Sequence, residues 1–255
     1  MKKLTLALLF SALSMPVLAG TAPDQATQTA DQVVEKYLAA LGGRAALGKI
    51  TSRRSTGTIS VATPNGEIAG SAEIALKAPN KSRSVMQLDL SAMGVPEKLV
   101  VQQVFNGTVG WALDSLNGDS EITGNRLDNL RNNVFPTPLL SYKTTGATVE
   151  LLPAEKLNGQ DAAVVRFTPK AGSAAKLYFD PQTNLLVRTV ATIDNPQAGG
   201  PVEQTGDFSD YRAVDGVKVP FMVVNSSPMQ TATIKLAKIE HNVALDDAMF
   251  NVKVP

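Results

Sequence analysis

Residues 43–49, GRAALGK, fit the G-x-x-x-x-G-K spacing of a loop that cradles phosphates. The next position, which would supply the Mg²⁺-binding hydroxyl, is Ile50. A helical pattern, not a strand, precedes the stretch, so it reads as a helix cap. His241 is the one histidine, and there is no cysteine. That excludes disulfides, thiolate metal sites, cysteine nucleophiles and metal clusters built from several His or Cys ligands. A Ser-His-Asp triad is arithmetically open, but no G-x-S-x-G elbow supports it. Beside Glu240 and Asn242, His241 reads as a surface or edge histidine. The acids of 114–121, DSLNGDSE, lack the ligand spacing of a calcium loop and suit a hairpin turn. Asp207, Asp210 and Asp215 are too dispersed for an acid/base pair, and Asp246 and Asp247 point apart on an extended chain. The chain is therefore expected to be non-catalytic, with no catalytic residue, metal or cofactor.

One charged residue asks for a different explanation. On a strand, Arg53 shares parity with Ile59 and Val61, while Arg54 shares parity with Thr56, Thr58 and Ser60. Arg53 would then point to the apolar side, where a charge needs a partner. The competing reading is a strand that begins later, or a side chain that snorkels to the rim.

Positioning such a residue takes a sheet. The N-terminus, MKKLTLALLFSALSMPVLAG, joins two lysines to a short apolar run and a small-residue site. This is the pattern of a signal peptide over residues 1–19, leaving 20–255 as one domain, exported to the periplasm or secreted and soluble after cleavage. With 24 Lys and Arg against 23 Asp and Glu, a net charge of +1 and 5% aromatics, nucleic acid is not an expected partner. Ala30, Val33, Val34, Tyr37, Leu38 and Leu41 recur at helical spacing; Thr29 with Gln32 makes a capping box, and Gly42-Gly43 ends the helix. From about residue 52 the period becomes two. Ile68, Gly70, Ala72, Ile74 and Leu76 oppose Glu67, Ser71, Glu73 and Lys77; Ser84, Met86, Leu88 and Leu90 oppose Arg83, Gln87 and Asp89. About 11 strands separated by turn signals follow, in an antiparallel sheet. The stretch 176–193 reads as two adjacent strands inside that sheet, apolar on both faces and so covered in part on both by helices or loops. Residues 122–143 interrupt the strands with Leu127, Leu130 and Val134 at helical spacing, then Pro136 and Pro138.

Several stretches look like a known group. YLAALGGRAAL at 37–47, FNGTVGW at 105–111, LYFDPQTNLLVR at 177–188, DYRAVDGVKVP at 210–220 and HNVALDDAMF at 241–250 resemble exported bacterial proteins of the LolA/LolB-like superfamily. That resemblance implies a mainly β (α+β) fold: a strongly curved antiparallel sheet, an unclosed β-barrel, with an N-terminal helix and a helical lid segment on the concave side. It also implies lipid, acyl-chain or lipoprotein binding in the cell envelope. The expected function is a carrier or chaperone for such a ligand. The alternative is an interaction module for a periplasmic peptidase or envelope complex, with a hydrolase third.

The residues expected to line the cavity or its lid are Arg53, Met86, Leu88, Trp111, Leu127, Leu130, Val134, Phe135, Leu139 and Leu140. Residues 122–143 are expected to lie across the open side of the sheet, and Trp111 to be buried near the lid and the concave face. Small inward residues at Gly57, Gly70 and Ala72 are expected to leave room for the helix or a ligand.

Overall fold

In the computed structural model the alternation of period two resolves, among the described residues, into thirteen antiparallel strands, two more than the expected count. The structure describes residues 28–64, 66–91, 94–95, 98–195 and 199–251. The expected signal peptide, 1–19, lies outside them. The helix α1 (Ala30–Leu41) and the short α2 (Arg44–Leu47) come first. The strands β1 (Ser52–Thr63), β2 (Gly66–Lys77), β3 (Lys81–Asp89), β4 (Lys98–Phe105), β5 (Gly110–Asp114) and β6 (Ser120–Ile122) follow. Then come α3 (Gly124–Asn132), a 3-10 turn (Pro138–Leu140) and α4 (Tyr142–Thr145). The second set of strands is β7 (Thr148–Leu157), β8 (Gln160–Thr168), β9 (Ala175–Phe179), β10 (Leu186–Asn195), β11 (Gly200–Val214), β12 (Val217–Ser226) and β13 (Thr231–His241).

The sheet order is β6-β5-β4-β3-β2-β1-β13-β12-β11-β10-β9-β8-β7. Two meanders are thus joined where β1 pairs with β13, and the sheet is curved but not closed. This topology explains the helical interruption. β6 and β7 are the two free edges and are consecutive in the chain, so the segment between them must travel from one edge to the other.

Local chemistry sets the elements. Thr29 Oγ1 accepts from Gln32 N while Gln32 Oε1 accepts from Thr29 N, the reciprocal cap that starts α1. The GRAALGK stretch is indeed a cap and short helix, with Arg44 held by Glu35 of α1. Between β9 and β10, Asp180 Oδ1 accepts from the N–H groups of Gln182 and Thr183, and Asn184 takes a φ of 56°. The opening of β6 is similar: Asp114 Oδ1 accepts from Leu116 and Asn117 N–H, turning the chain at Asn117-Gly118.

Strand parity divides the sheet into two faces. The inner face carries α1. Val33, Val34, Tyr37, Leu38 and Leu41 pack with Val165, Phe167, Leu177, Phe179, Val217, Val219 and Phe221 in the main core. A second inner cluster lies farther along β1, around Ile59, Val61, Ala72, Leu88 and Ile234. The outer face is handled differently at its two ends. The C-terminal turn Asp247–Phe250 covers Ala75 with Leu245 and Phe250. The β9–β10 hairpin lies inside the sheet, between β8 and β11. Its outward residues Tyr178, Val187 and Val190 pack with Ala162, Val164, Leu152 and Leu157. All of these belong to β7–β10, so strand side chains cover this patch where helices or loops were expected.

The small inward glycines also have another cause. A Cβ at Gly57 would stand 2.1 Å from Lys235 O, and one at Gly70 2.0 Å from Gln87 O. These glycines admit the neighbouring strand's backbone, at Gly57 beside a register shift in the β1–β13 pairing, and so serve curvature rather than ligand space.

A polar staple ties α1 to the edge-to-edge segment. The Tyr142 hydroxyl donates to Asp31 Oδ1, and Lys143 Nζ lies 3.3 Å from Asp31 Oδ2. Tyr142 first, and Lys143 after it, hold the Asp31 carboxyl below its ordinary 3.8, against a smaller opposing effect of burial. A depressed carboxyl contributes stability that is present above its unfolded value and lost as pH falls through the folded one. Asp31 is about half-exposed, so Tyr142→Phe is expected to cost only about 0.5–1 kcal/mol at pH 7. In urea unfolding that deficit should shrink as pH is taken well below 3.8. A deficit that grows toward acid would contradict the staple.

Candidate functional site

The β1–β13 seam places Arg53 directly opposite His241, and Ser55 opposite Ile239, all on the inner face. β1 begins at Ser52, so Arg53 does point inward, as its parity with Ile59 and Val61 requires. Arg53, Ser55 and His241 line a pocket of about 230 Å³. Tyr37 from α1, Phe135 and Thr137 from the edge-to-edge segment, and Tyr211 from β11 close around it. Ile74, Leu236, Val223 and Phe208 continue its wall along the sheet.

The electrostatics of this pocket are unusual for an interior. Arg53 Nε, Ser55 Oγ and His241 Nδ1 are shut off from solvent without a hydrogen-bond partner. The Arg53 guanidinium lies 5.5 Å from the centre of the Phe135 ring, a cation–π contact. Burial pulls it down to about 10, opposed by Tyr37, and it stays cationic at neutral pH. Burial, then the Arg53 charge, lowers His241, while Asp215 acts in the other direction. His241 Nδ1 stands 3.4 Å from Asp215 Oδ2, too poorly aligned for a hydrogen bond. Burial pushes the Tyr37 phenol up to about 12, against a hydrogen bond with Thr137 and the Arg53 charge. Tyr211 is raised by burial, and its hydroxyl donates to Leu186 O at 2.7 Å.

The Ser55 hydroxyl makes no hydrogen bond to His241, so no nucleophile–base pair is formed. Among the described residues, no group of three or more His, Cys, Asp or Glu is placed to hold a metal ion.

Of the residues singled out from sequence, the pocket brings together Arg53 and Phe135. Leu139 and Leu140 pack on the main core beside it. Met86 and Leu88 belong to the second inner cluster. Residues 122–143 do run between the two edges, but α3 has no buried residue. Leu127 and Val134 are half-buried, and Leu130 rests over Gly110. Phe135, Leu139 and Tyr142 supply the buried contacts instead. Trp111 is a correction. The register pairs it with Val104 and Glu121, whereas Gly110 pairs with Phe105 and Ile122 on the inner parity. Trp111 is therefore half-buried on the outer face, away from the pocket. His241 is a second correction: its side chain is 2% exposed and inside the site.

Tyr37, Ser55, Thr137, Tyr211 and His241 were not anticipated. Ser55 shares the parity of Arg53, a signal available in the sequence. The pairing of Arg53 with His241 joins distant parts of the chain and leaves no local trace.

No protein-family model matches the chain, and no curated protein matches it. Solved structures do. A LolA superfamily protein from Nitrosomonas europaea is 13% identical, with 88% of this chain and 98% of that chain covered, at a TM-score of 0.55. A domain from Vibrio parahaemolyticus, provisionally described as an outer membrane lipoprotein-sorting protein domain, is 11% identical, with 87% and 96% covered, at 0.57. A DUF1329 family protein from Desulfovibrio piger is 15% identical, with 88% and 98% covered, at 0.56. At such identities the likeness is one of fold, and the fold is that of the LolA-like superfamily. Among the described residues, no helix is long and apolar enough to cross a membrane.

Proposed function

We propose that this chain is an exported, non-catalytic binding protein of the cell envelope that receives an acyl chain of a lipid or lipoprotein in its inner pocket, as a carrier or chaperone. The observation that carries this reading is the pocket itself. A run of apolar side chains, Ile74, Leu236, Val223 and Phe208, leads away from buried polar atoms that no protein group satisfies. The LolA-like fold and the signal-peptide pattern at 1–19 support the same reading. Each methylene buried there contributes about 0.8 kcal/mol, so a chain of about ten offers roughly 8 kcal/mol before the cost of association.

The test is titration of the mature protein with cis-parinaric acid, whose fluorescence rises in an apolar site. Saturable binding is expected for the natural sequence. Ile74→Phe, which fills the pocket, should weaken it at least tenfold while leaving the far-ultraviolet circular dichroism unchanged. Equal affinity in the folded variant would place the chain elsewhere. No saturable binding would overturn the reading.

A further inference from the structure

Four buried side-chain polar atoms lack a hydrogen-bond partner among the described residues: Arg53 Nε, Ser55 Oγ, His241 Nδ1 and Ser141 Oγ. Arg53, Ser55 and His241 all line the inner pocket, with His241 Nδ1 3.4 Å from Asp215 Oδ2. Native interiors leave few such atoms, and each one calls for an explanation. Here the three are neighbours by construction. Arg53 and His241 face each other across β1 and β13. Ser55 is two residues along the same face, about 7 Å away at the rise of a strand.

The charge at this spot is uncompensated. Arg53 forms no ion pair among the described residues, and the influences on it are burial and Tyr37, not a carboxylate. Outward arginines on the same sheet behave differently: Arg54 is held by Glu73 and Arg188 by Asp207. Asp215, the acid near His241, is largely exposed. Lys218 reaches the pocket from its exposed rim. A buried cation beside an unpartnered serine hydroxyl is a site for an anion, since a guanidinium fork matches a planar two-oxygen acceptor.

The rest of the pocket specifies what carries that anion. Val223 pairs with Ile234, which pairs with Ile59, six residues along β1 from Arg53. The apolar wall therefore extends about 20 Å from the charge. A volume of about 230 Å³ lies below the usual roughly 300–1,000 Å³ of small-molecule pockets, which suits one chain and not two or three. One buried cation balances a monoanion; a phosphate head would bring up to two negative charges to it.

We propose that the pocket binds one single-chain carboxylate amphiphile, its carboxylate on Arg53 with Ser55 as a further donor and its chain along Ile74, Leu236 and Val223. This rests on the reading that the pocket takes an acyl chain, and it names the head group, the number of chains and their direction. Arg53 becomes the specificity determinant for the acid over its neutral analogues.

The test is calorimetric titration of the mature protein with dodecanoate, dodecanol and dodecyl phosphate. Dodecanoate is expected to bind at one site per chain, at least tenfold more tightly than dodecanol. Arg53→Met should abolish that preference, bringing the affinities for dodecanoate and dodecanol within about twofold of each other. Ser55→Ala, a milder change, should weaken dodecanoate severalfold and narrow its advantage over dodecanol. Equal affinity for acid and alcohol in the natural sequence would overturn the proposal while leaving the acyl-chain reading in place. Tighter binding of dodecyl phosphate than of dodecanoate, or a stoichiometry of two or more, would overturn the carboxylate or single-chain assignment. Failure of all three ligands to bind would overturn both.

Discussion

Phe179→Ala is expected to lower the free energy of unfolding by about 3–5 kcal/mol, the usual cost of emptying a large aromatic site in a close-packed core. Phe179 is 2% exposed. Its ring stands 5.2 Å from that of Tyr37, tilted by 58°, in the geometry aromatic pairs favour. The contact joins β9 to α1, so its loss removes packing from the helix that walls the pocket. Tyr37 also lines that pocket, and a loosened α1 should weaken acyl-chain binding together with stability. Urea unfolding with circular dichroism checks the first effect. A loss under 1 kcal/mol would mean that α1 is not held by this contact.

Arg53→Met is expected to act in the opposite direction, stabilising the unliganded protein by about 1–3 kcal/mol. A guanidinium held at about 10 in place of 12.5 carries a penalty of roughly 3 kcal/mol at neutral pH. The sign follows from the direction: burial disfavours the charged form, which is the form present at pH 7. Methionine has a comparable length and no charge, and it forfeits the cation–π contact with Phe135, worth about 0.5–2 kcal/mol. The net gain is therefore smaller than the penalty. Natural proteins tolerate such a cost where function needs the residue. Thermal and urea midpoints compared with the natural sequence decide it; a marked loss of stability would show that Arg53 is structural.

The sequence made much of this molecule readable, for local reasons. The cap at Thr29 and Gln32 is written in adjacent residues, and α1 begins there. Alternation with one wet face revealed β2 and β3; parity offered Arg53 the inner face beside Ile59 and Val61, and the start of β1 at Ser52 decided against a later strand or a side chain at the rim. The three-residue β6 was hidden inside what read as a turn, because the return arm of that hairpin is Ser120–Ile122 and carries a single apolar residue. Trp111 was expected on the concave face and lies on the outer one. Val104 and Phe105 are adjacent and both buried, one on each face, so hydrophobicity near β5 gives no parity. His241 was read as an edge residue because the strand that ends there meets β1 only through pairing across the whole sheet. Gly57 and Gly70 were read as space, yet they mark close backbone approach, which depends on curvature that one strand does not encode. What escaped the sequence was in each case a matter of which strand lies beside which.

The most direct test is nuclear magnetic resonance of the mature protein, methyl-labelled at Ile, Leu and Val, bound to ¹³C-labelled dodecanoate. Trp111 is on the outer face and would serve poorly as a fluorescent reporter. Intermolecular Overhauser contacts are expected from the ligand's methylenes to the methyl groups of Ile74, Leu236 and Val223, which line the inner pocket. The carboxylate carbon should shift on saturation in the natural sequence and not in Arg53→Met. Contacts confined to the outer cluster around Val164 and Val190, or no saturable contact at all, would contradict an acyl-chain site inside the half-barrel.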